Sequence, residues 1–194
     1  PLTGRQKKMI AKLQLSTETM IELVGQLLDV VRIEAYETAL NLYPFSVVPL
    51  LRGVVAPKST LLEEKKMRVT IDTPTSELPL AYANKDATTT ILSILLDNAI
   101  AYTPTKGQMT VSVVRNLVNL IVSIADTGIG ILAEEQRHIF SQFFRGSNAI
   151  TSHPNGTGLG LFYAKKLAEK QQSSLWFRSK VGEGTTFFLS LPIQ

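Results

Sequence analysis

Glycine is concentrated twice in this chain beside groups that could hold a charged ligand. Asp126-Thr127-Gly128-Ile129-Gly130 follows an alternating apolar run, so its carboxylate falls at a strand end and its glycines let the backbone come close to a ligand. Gly156-Thr157-Gly158-Leu159-Gly160-Leu161 precedes a helical stretch. A glycine run that opens a helix presents unpaired N–H groups at the positive end of the helix dipole, which is what phosphate oxygens require. Taken alone, the run reads equally well as a flexible turn. Two familiar phosphate signatures do not apply: polar Ser152-His153-Pro154-Asn155 replaces the strand that a dinucleotide fingerprint needs, and no Gly-Lys-Ser/Thr triplet occurs. Asn98 is a third candidate, because an amide in so apolar a helix is costly without a partner.

The elements that must position these groups follow from periodicity. Residues 6 to 38 hold no proline and carry Leu13, Met20, Val24, Leu27 and Val31 in alternating steps of three and four, with Thr17 at one intervening seam position, a heptad-like stripe widened by Leu23, Leu28 and Ile33. Such a helix needs partner helices. Residues 41 to 45 read as a linker. A helix interrupted at Pro57 is expected over 46 to 66, a strand over 67 to 71, and turns over 74 to 79. A helix over 85 to 101 should precede strands at 109 to 114 and 118 to 125. A short helix over 133 to 140, a polar segment over 146 to 156, a helix from 160 to 171 and strands at 175 to 179 and 185 to 191 complete the order. Helices alternating with strand hairpins predict helices layered on one face of a mixed sheet.

Composition bounds the rest. At 194 residues the chain holds one ordinary domain with an appended element, and 44% hydrophobic with 19% charged residues is a globular composition. With no cysteine, disulfides, thiol nucleophiles and Cys-based metal sites are excluded. Twenty basic against sixteen acidic residues, net +4, is too mild a bias to name a partner. No apolar run reaches a membrane span and Pro1-Leu2-Thr3-Gly4 opens no signal peptide, so the chain is expected to be soluble, without nucleic-acid or membrane contact.

Four segments in order carry a resemblance. Leu95-Leu96-Asp97-Asn98-Ala99-Ile100-Ala101-Tyr102-Thr103-Pro104, then Asp126 to Gly130, then Ile139-Phe140-Ser141-Gln142-Phe143-Phe144-Arg145, then Gly156 to Leu161 closely resemble the ATP-binding domain of sensor histidine kinases. They match that family's N box, first glycine box, F box and second glycine box. Asp29-Val30-Val31-Arg32-Ile33-Glu34 is similar to the end of the second helix of its dimerisation hairpin. The resemblance implies a two-layer α/β sandwich of the histidine kinase, gyrase and chaperone ATPase type, preceded by a long N-terminal helix. It divides the chain into residues 1–40, the second hairpin helix, and 41–194, the catalytic ATP-binding domain. It implies ATP and Mg2+ as ligands, with Asn98 on the metal, Asp126 accepting from the adenine amino group and Tyr102 near the base. Gly128, Gly130, Gly156, Thr157, Gly158, Leu159 and Gly160 would contact nucleotide through the backbone. A lid over 131 to 155 would bring Arg145 near the phosphates. Homodimerisation through the N-terminal helix, a response-regulator receiver domain as partner and a cytoplasmic location follow, with a membrane anchor elsewhere in the intact protein left open.

The chain departs from the pattern at three places. Ile94 stands where the kinases carry another Asn and the gyrase-type ATPases a water-activating Glu, so hydrolysis by the gyrase route is not expected. Ala101 stands where the family often has a cation near the phosphates. Neither His138 nor His153 sits in a phosphoacceptor motif. Pro1-Leu2-Thr3 is similar to the tail of one, as in a fragment, and self-phosphorylation is not expected. A nucleotide-binding or dimerisation module without kinase activity is the alternative; an anti-sigma-factor serine kinase fits the long helix less well.

Overall fold

The computed structural model describes residues 2–35, 40–154 and 156–193. The chain forms two compact units, Pro1–Glu37 and Thr38–Gln194. The first is one helix, α1 (Gly4–Ala35). Thr3 and Gln6 start it as a reciprocal capping box: Thr3 N–H donates to Gln6 Oε1 at 2.8 Å and Gln6 N–H to Thr3 Oγ1 at 3.3 Å. Of its stripe, Leu13, Met20 and Val24 are exposed. The side chains of Leu23, Leu27, Leu28, Ile33 and the 29–34 segment, and the expected helix end at 38, lie outside the described residues.

The second unit runs β1 (Tyr43–Phe45), α2 (Val47–Val55), a 3-10 turn (Ala56–Lys58), α3 (Ser59–Glu64), β2 (Arg68–Asp72), β3 (Ala81–Ala83) and α4 (Lys85–Tyr102). It continues through β4 (Gln108–Arg115), β5 (Asn119–Asp126), a 3-10 turn (Gln136–His138), α5 (Ser147–Ser152), α6 (Gly160–Lys170), β6 (Ser174–Lys180) and β7 (Gly184–Pro192). The main sheet has the order β2-β4-β5-β7-β6, with β2 parallel to β4 and the other pairs antiparallel. Alternate residues of its central strands, among them Val111, Val122, Ile124 and Leu189, are fully buried on one face. Ile91, Leu92, Leu95 and Leu96 of α4 and Ala164 and Ala168 of α6 fill the opposing helical layer. This is the expected two-layer sandwich with a mixed sheet.

Three local expectations are corrected. Residues 41 to 45 are not merely a linker: Tyr43–Phe45 pairs with Ala81–Ala83, Pro44 opposite Tyr82, and Phe45 is buried. Three residues are too few for alternation to show, and Pro44 is tolerated because the pair is an edge. Residues 133 to 140 form turns around a 3-10 segment, where Gln136 Nε2 donates to the carbonyls of Ile131 and Ser179 and pins the chain. The polar stretch 146 to 156 contains a helix, α5, started by Ser147 N–H donating to Glu135 Oε1 at 3.0 Å. A six-residue polar helix has no apolar period to betray it.

Candidate functional site

Strand β5 ends at Asp126, which pairs across the ladder with Thr185 of β7. Asp126 Oδ1 accepts the N–H of Gly128 at 2.8 Å and that of Thr185 at 3.2 Å. Both bonds end on the same oxygen, so Oδ2 is left for a ligand. Burial pushes the carboxyl up to about 6, against the pull of the two N–H groups. Gly184 makes the pairing possible: at φ +110°, a Cβ there would stand 2.0 Å from the Asp126 carbonyl oxygen. Neither Thr185 nor Gly184 was singled out from sequence, because only the strand register joins them to Asp126.

The loop after Asp126 is locked to its surroundings. A Cβ on Gly128 would come 2.6 Å from Asp126 Oδ1 and 2.7 Å from the Tyr102 carbonyl. Gly130 adopts φ +69°, and its Cβ would meet the Lys180 carbonyl oxygen at 2.1 Å. Both glycines are thus demanded by backbone packing within the protein. Ile129 N–H donates to the Tyr102 carbonyl at 3.2 Å, and Gly182 N–H to the Ile129 carbonyl at 3.0 Å.

Helix α4 supplies the next wall. Tyr102, half-buried, is its last residue, and Asn98 lies one turn earlier, a rise of about 6 Å on the same face. Asn98 Nδ2 is buried with no hydrogen-bond partner. An unsatisfied buried donor costs about 1–3 kcal/mol, a penalty that a ligand acceptor at this nitrogen would relieve. Asp97 instead points outward and pairs with Lys58 at 2.5 Å. One turn before Asn98, Ile94 Cγ2 lies 3.4 Å from where a Cβ on Gly160 would stand, so the start of α6 packs directly on α4 at this position.

The second glycine run enters α6 with Leu159 in the capping position and no side chain capping the first turn. Thr157 Oγ1 accepts Leu159 N–H at 3.2 Å. Gly158, at φ +73°, lies against the backbone of Phe143, whose carbonyl carbon would be 2.6 Å from an added Cβ. Gly156 faces the Arg145 guanidinium, 3.1 Å from such a Cβ. Arg145 donates to the carbonyls of Pro154, at 2.7 Å, and of His153, while its Nε is buried without a partner. The His153 ring meets Tyr102 edge-on, with centroids 6.3 Å apart. Of the expected lid, Asn155 lies outside the described residues. Contacts therefore link the predicted residues in two groups. Asp126, Gly128 and Gly130 surround the end of α4 at Tyr102. Arg145 and Gly156 to Gly160 gather where α6 starts against Ile94, a turn from Asn98.

A strand-end carboxylate with one oxygen to spare, an orphaned amide donor on α4 and a glycine-led helix start thus share one two-layer α/β sandwich. Residues 83–194 match the model of the histidine kinase-, DNA gyrase B-, and HSP90-like ATPases, and the chain belongs to that family. Its relatives include the circadian input-output histidine kinase CikA of Synechococcus elongatus, 33% identical over 100% of this chain and 26% of that protein. Sensor-like histidine kinase SenX3 of Mycolicibacterium smegmatis is 28% identical over 96% of this chain and 47% of its own. The chain thus spans less than half the length of these relatives, both of which are named as histidine kinases. Among solved structures, full-length ShkA in complex with AMPPNP superposes with a TM-score of 0.83 at 24% identity, covering 100% of this chain and 40% of that one. Histidine kinase ThkA in complex with response regulator TrrA gives 0.79 at 20% identity, covering 100% and 53%. Those two are likenesses of fold.

Proposed function

We propose that this chain binds Mg-ATP between α4, the Asp126 loop and the glycine-led start of α6, and presents the γ-phosphoryl group to a histidine on another segment, for relay to an aspartate of a response-regulator receiver domain. The observation that carries this reading is the unpaired Asn98 Nδ2, a buried donor one turn from Tyr102 that a phosphate oxygen would satisfy. Asp126 accepts the adenine amino proton through Oδ2, Tyr102 packs near the base, and the N–H groups of Gly156 to Gly160 with the Arg145 cation face the phosphates. Among the described residues no group of three or more His, Asp or Glu could hold a metal ion. One carboxamide oxygen from Asn98 plus phosphate oxygens is a donor set suited to Mg2+. That ion, when bound, neutralises phosphate charge. Ile94 can accept no proton from water, which favours transfer to an imidazole over hydrolysis. Arg145 must leave the carbonyls of His153 and Pro154 to reach a phosphate.

Residues 1–40 act as the second helix of a dimerisation hairpin, and exposed Leu13, Met20 and Val24 pair two copies of the intact protein. No described helix is long and apolar enough to cross a membrane. His138 and His153 lie in no phosphoacceptor motif, so the chain alone is expected not to phosphorylate itself. Mixing it with Mg-ATP and a separate histidine-bearing hairpin should label that hairpin. Nucleotide uptake without transfer favours instead the non-catalytic module, which Ile94 on Gly160 would suit.

Binding should also depend on pH. A buried Asp126 titrating near 6 is mostly protonated at pH 5, and only its ionised form accepts fully from adenine. Binding then expels a proton, and affinity for Mg-ADP should fall roughly tenfold between pH 7.5 and pH 5. The same raised value makes Asp126 favour the nucleotide-free fold below about pH 4, an advantage lost as pH rises through about 6. Titration calorimetry of wild type against Asp126→Asn checks this. The variant should lack that part of the pH dependence, since the phosphates titrate identically in both.

A further inference from the structure

We infer that Lys65 is a positioning residue of the nucleotide site, holding the carboxyl end of α4 where Asn98 and Tyr102 can meet a ligand. The argument begins with unsatisfied carbonyls. Helix α4 stops at Tyr102, Thr103 turns to extended geometry, and residue 104 is proline. The Ile100 carbonyl would next pair with the nitrogen of residue 104, which carries no proton. The carbonyls of Ala101 and Thr103 also lie beyond the last helical donor.

Lys65 meets all three. Its Nζ donates to the Ile100 carbonyl at 2.5 Å, to Ala101 at 3.1 Å and to Thr103 at 3.0 Å. An ammonium has three protons, and here each faces an orphaned oxygen. A cation at this end also suits the negative pole of the helix. Its burial costs hydration, which lowers its pKa. The backbone of Lys65 is tied to the same region, its carbonyl accepting Lys106 N–H at 2.9 Å. The following residue, Lys66, takes φ +51° to turn the chain from α3 into β2.

The carbonyl that Lys65 leaves alone is that of Tyr102, and this one accepts Ile129 N–H from the glycine loop. Successive carbonyls at the helix end are therefore held from two sides, by Lys65 and by the loop that carries Asp126. Without the ammonium, three carbonyls lose their donor and the end of α4 frays. Fraying reaches Tyr102 and its bond to Ile129 first, and Asn98 one turn later.

This inference rests on the nucleotide reading above, and the test separates the two. In the 194-residue chain, Lys65→Met keeps an unbranched side chain of similar reach without donors, and Lys65→Arg keeps donors and charge. Affinity for Mg-ADP is measured by calorimetry, together with amide hydrogen exchange without nucleotide. Lys65→Met is expected to weaken Mg-ADP at least about tenfold, as displaced site geometry does. Exchange at Ile129 should speed up while Val122, in the central strand, keeps its protection, and Lys65→Arg should regain most of the lost affinity. Wild-type affinity in Lys65→Met, or Val122 loosening as much as Ile129, overturns the assignment. A wild-type chain that takes up no Mg-ADP overturns the nucleotide reading, and Ile129 exchange still decides whether Lys65 holds the helix end.

Discussion

Asp126→Ala is expected to weaken binding of Mg-ADP by about 1.5–3 kcal/mol, roughly 10- to 150-fold, the range for a hydrogen bond to a charged group. The carboxylate is fixed before any ligand arrives: Oδ1 is held by Gly128 and Thr185, and Oδ2 keeps its accepting capacity. A preoriented acceptor loses little entropy on binding, so the upper half of the range is the better expectation. Alanine also strands the N–H groups of Gly128 and Thr185, and the comparison therefore needs a base-specific readout. Affinity for Mg-GDP, whose base presents a carbonyl where adenine presents its amino group, should change far less than affinity for Mg-ADP. Equal losses for both nucleotides, or none for either, would remove Asp126 from base recognition.

Gly130→Ala should be strongly destabilising to the second unit. Two penalties combine there. A φ of +69° costs an L side chain about 1–2 kcal/mol, and the new Cβ would lie 2.1 Å from the Lys180 carbonyl oxygen, a backbone atom that cannot swing aside. Overpacking of this kind adds typically 1–3 kcal/mol. A total near 3 kcal/mol lowers the melting temperature by roughly 6–12 °C in a unit of this size. Gly53 is the control. It lies in α2, exposed, with nothing within 4 Å of an added Cβ, and Gly53→Ala should raise stability by up to about 1 kcal/mol. Thermal melts of the two variants beside wild type decide the matter, and a Gly130→Ala chain melting with wild type would refute the backbone-packing account.

Elements with a clear period were legible within a residue or two. A helix expected over 85 to 101 is Lys85–Tyr102, and strands expected over 109 to 114 and 118 to 125 are Gln108–Arg115 and Asn119–Asp126. The places of Asp126 at a strand end and of Gly156 to Gly160 at a helix start were legible too, because both are local patterns. What stayed hidden depends on partners distant in the chain. Thr185 bonds Asp126 across 59 residues, and Lys65 reaches carbonyls 35 to 38 residues away. The reason for Gly130 was also hidden: its neighbour is the Lys180 backbone across the β6–β7 turn. Tyr43–Phe45 and Ser147–Ser152 escaped for the opposite reason, being too short to show any repeat.

The order of the sheet bears on how the chain assembles the proposed nucleotide site. Hairpins β4–β5 and β6–β7 close over a few residues, but β5 meets β7 only after α5, α6 and β6 have been made between them. Closing so long a loop is the slow event in a topology of this kind. A chain in which only the two hairpins had formed would hold Asp126 without Thr185, and so would lack part of the proposed nucleotide site. Nucleotide is therefore expected to prolong the lifetime of the native chain by retarding its unfolding, while leaving the speed of refolding as it was.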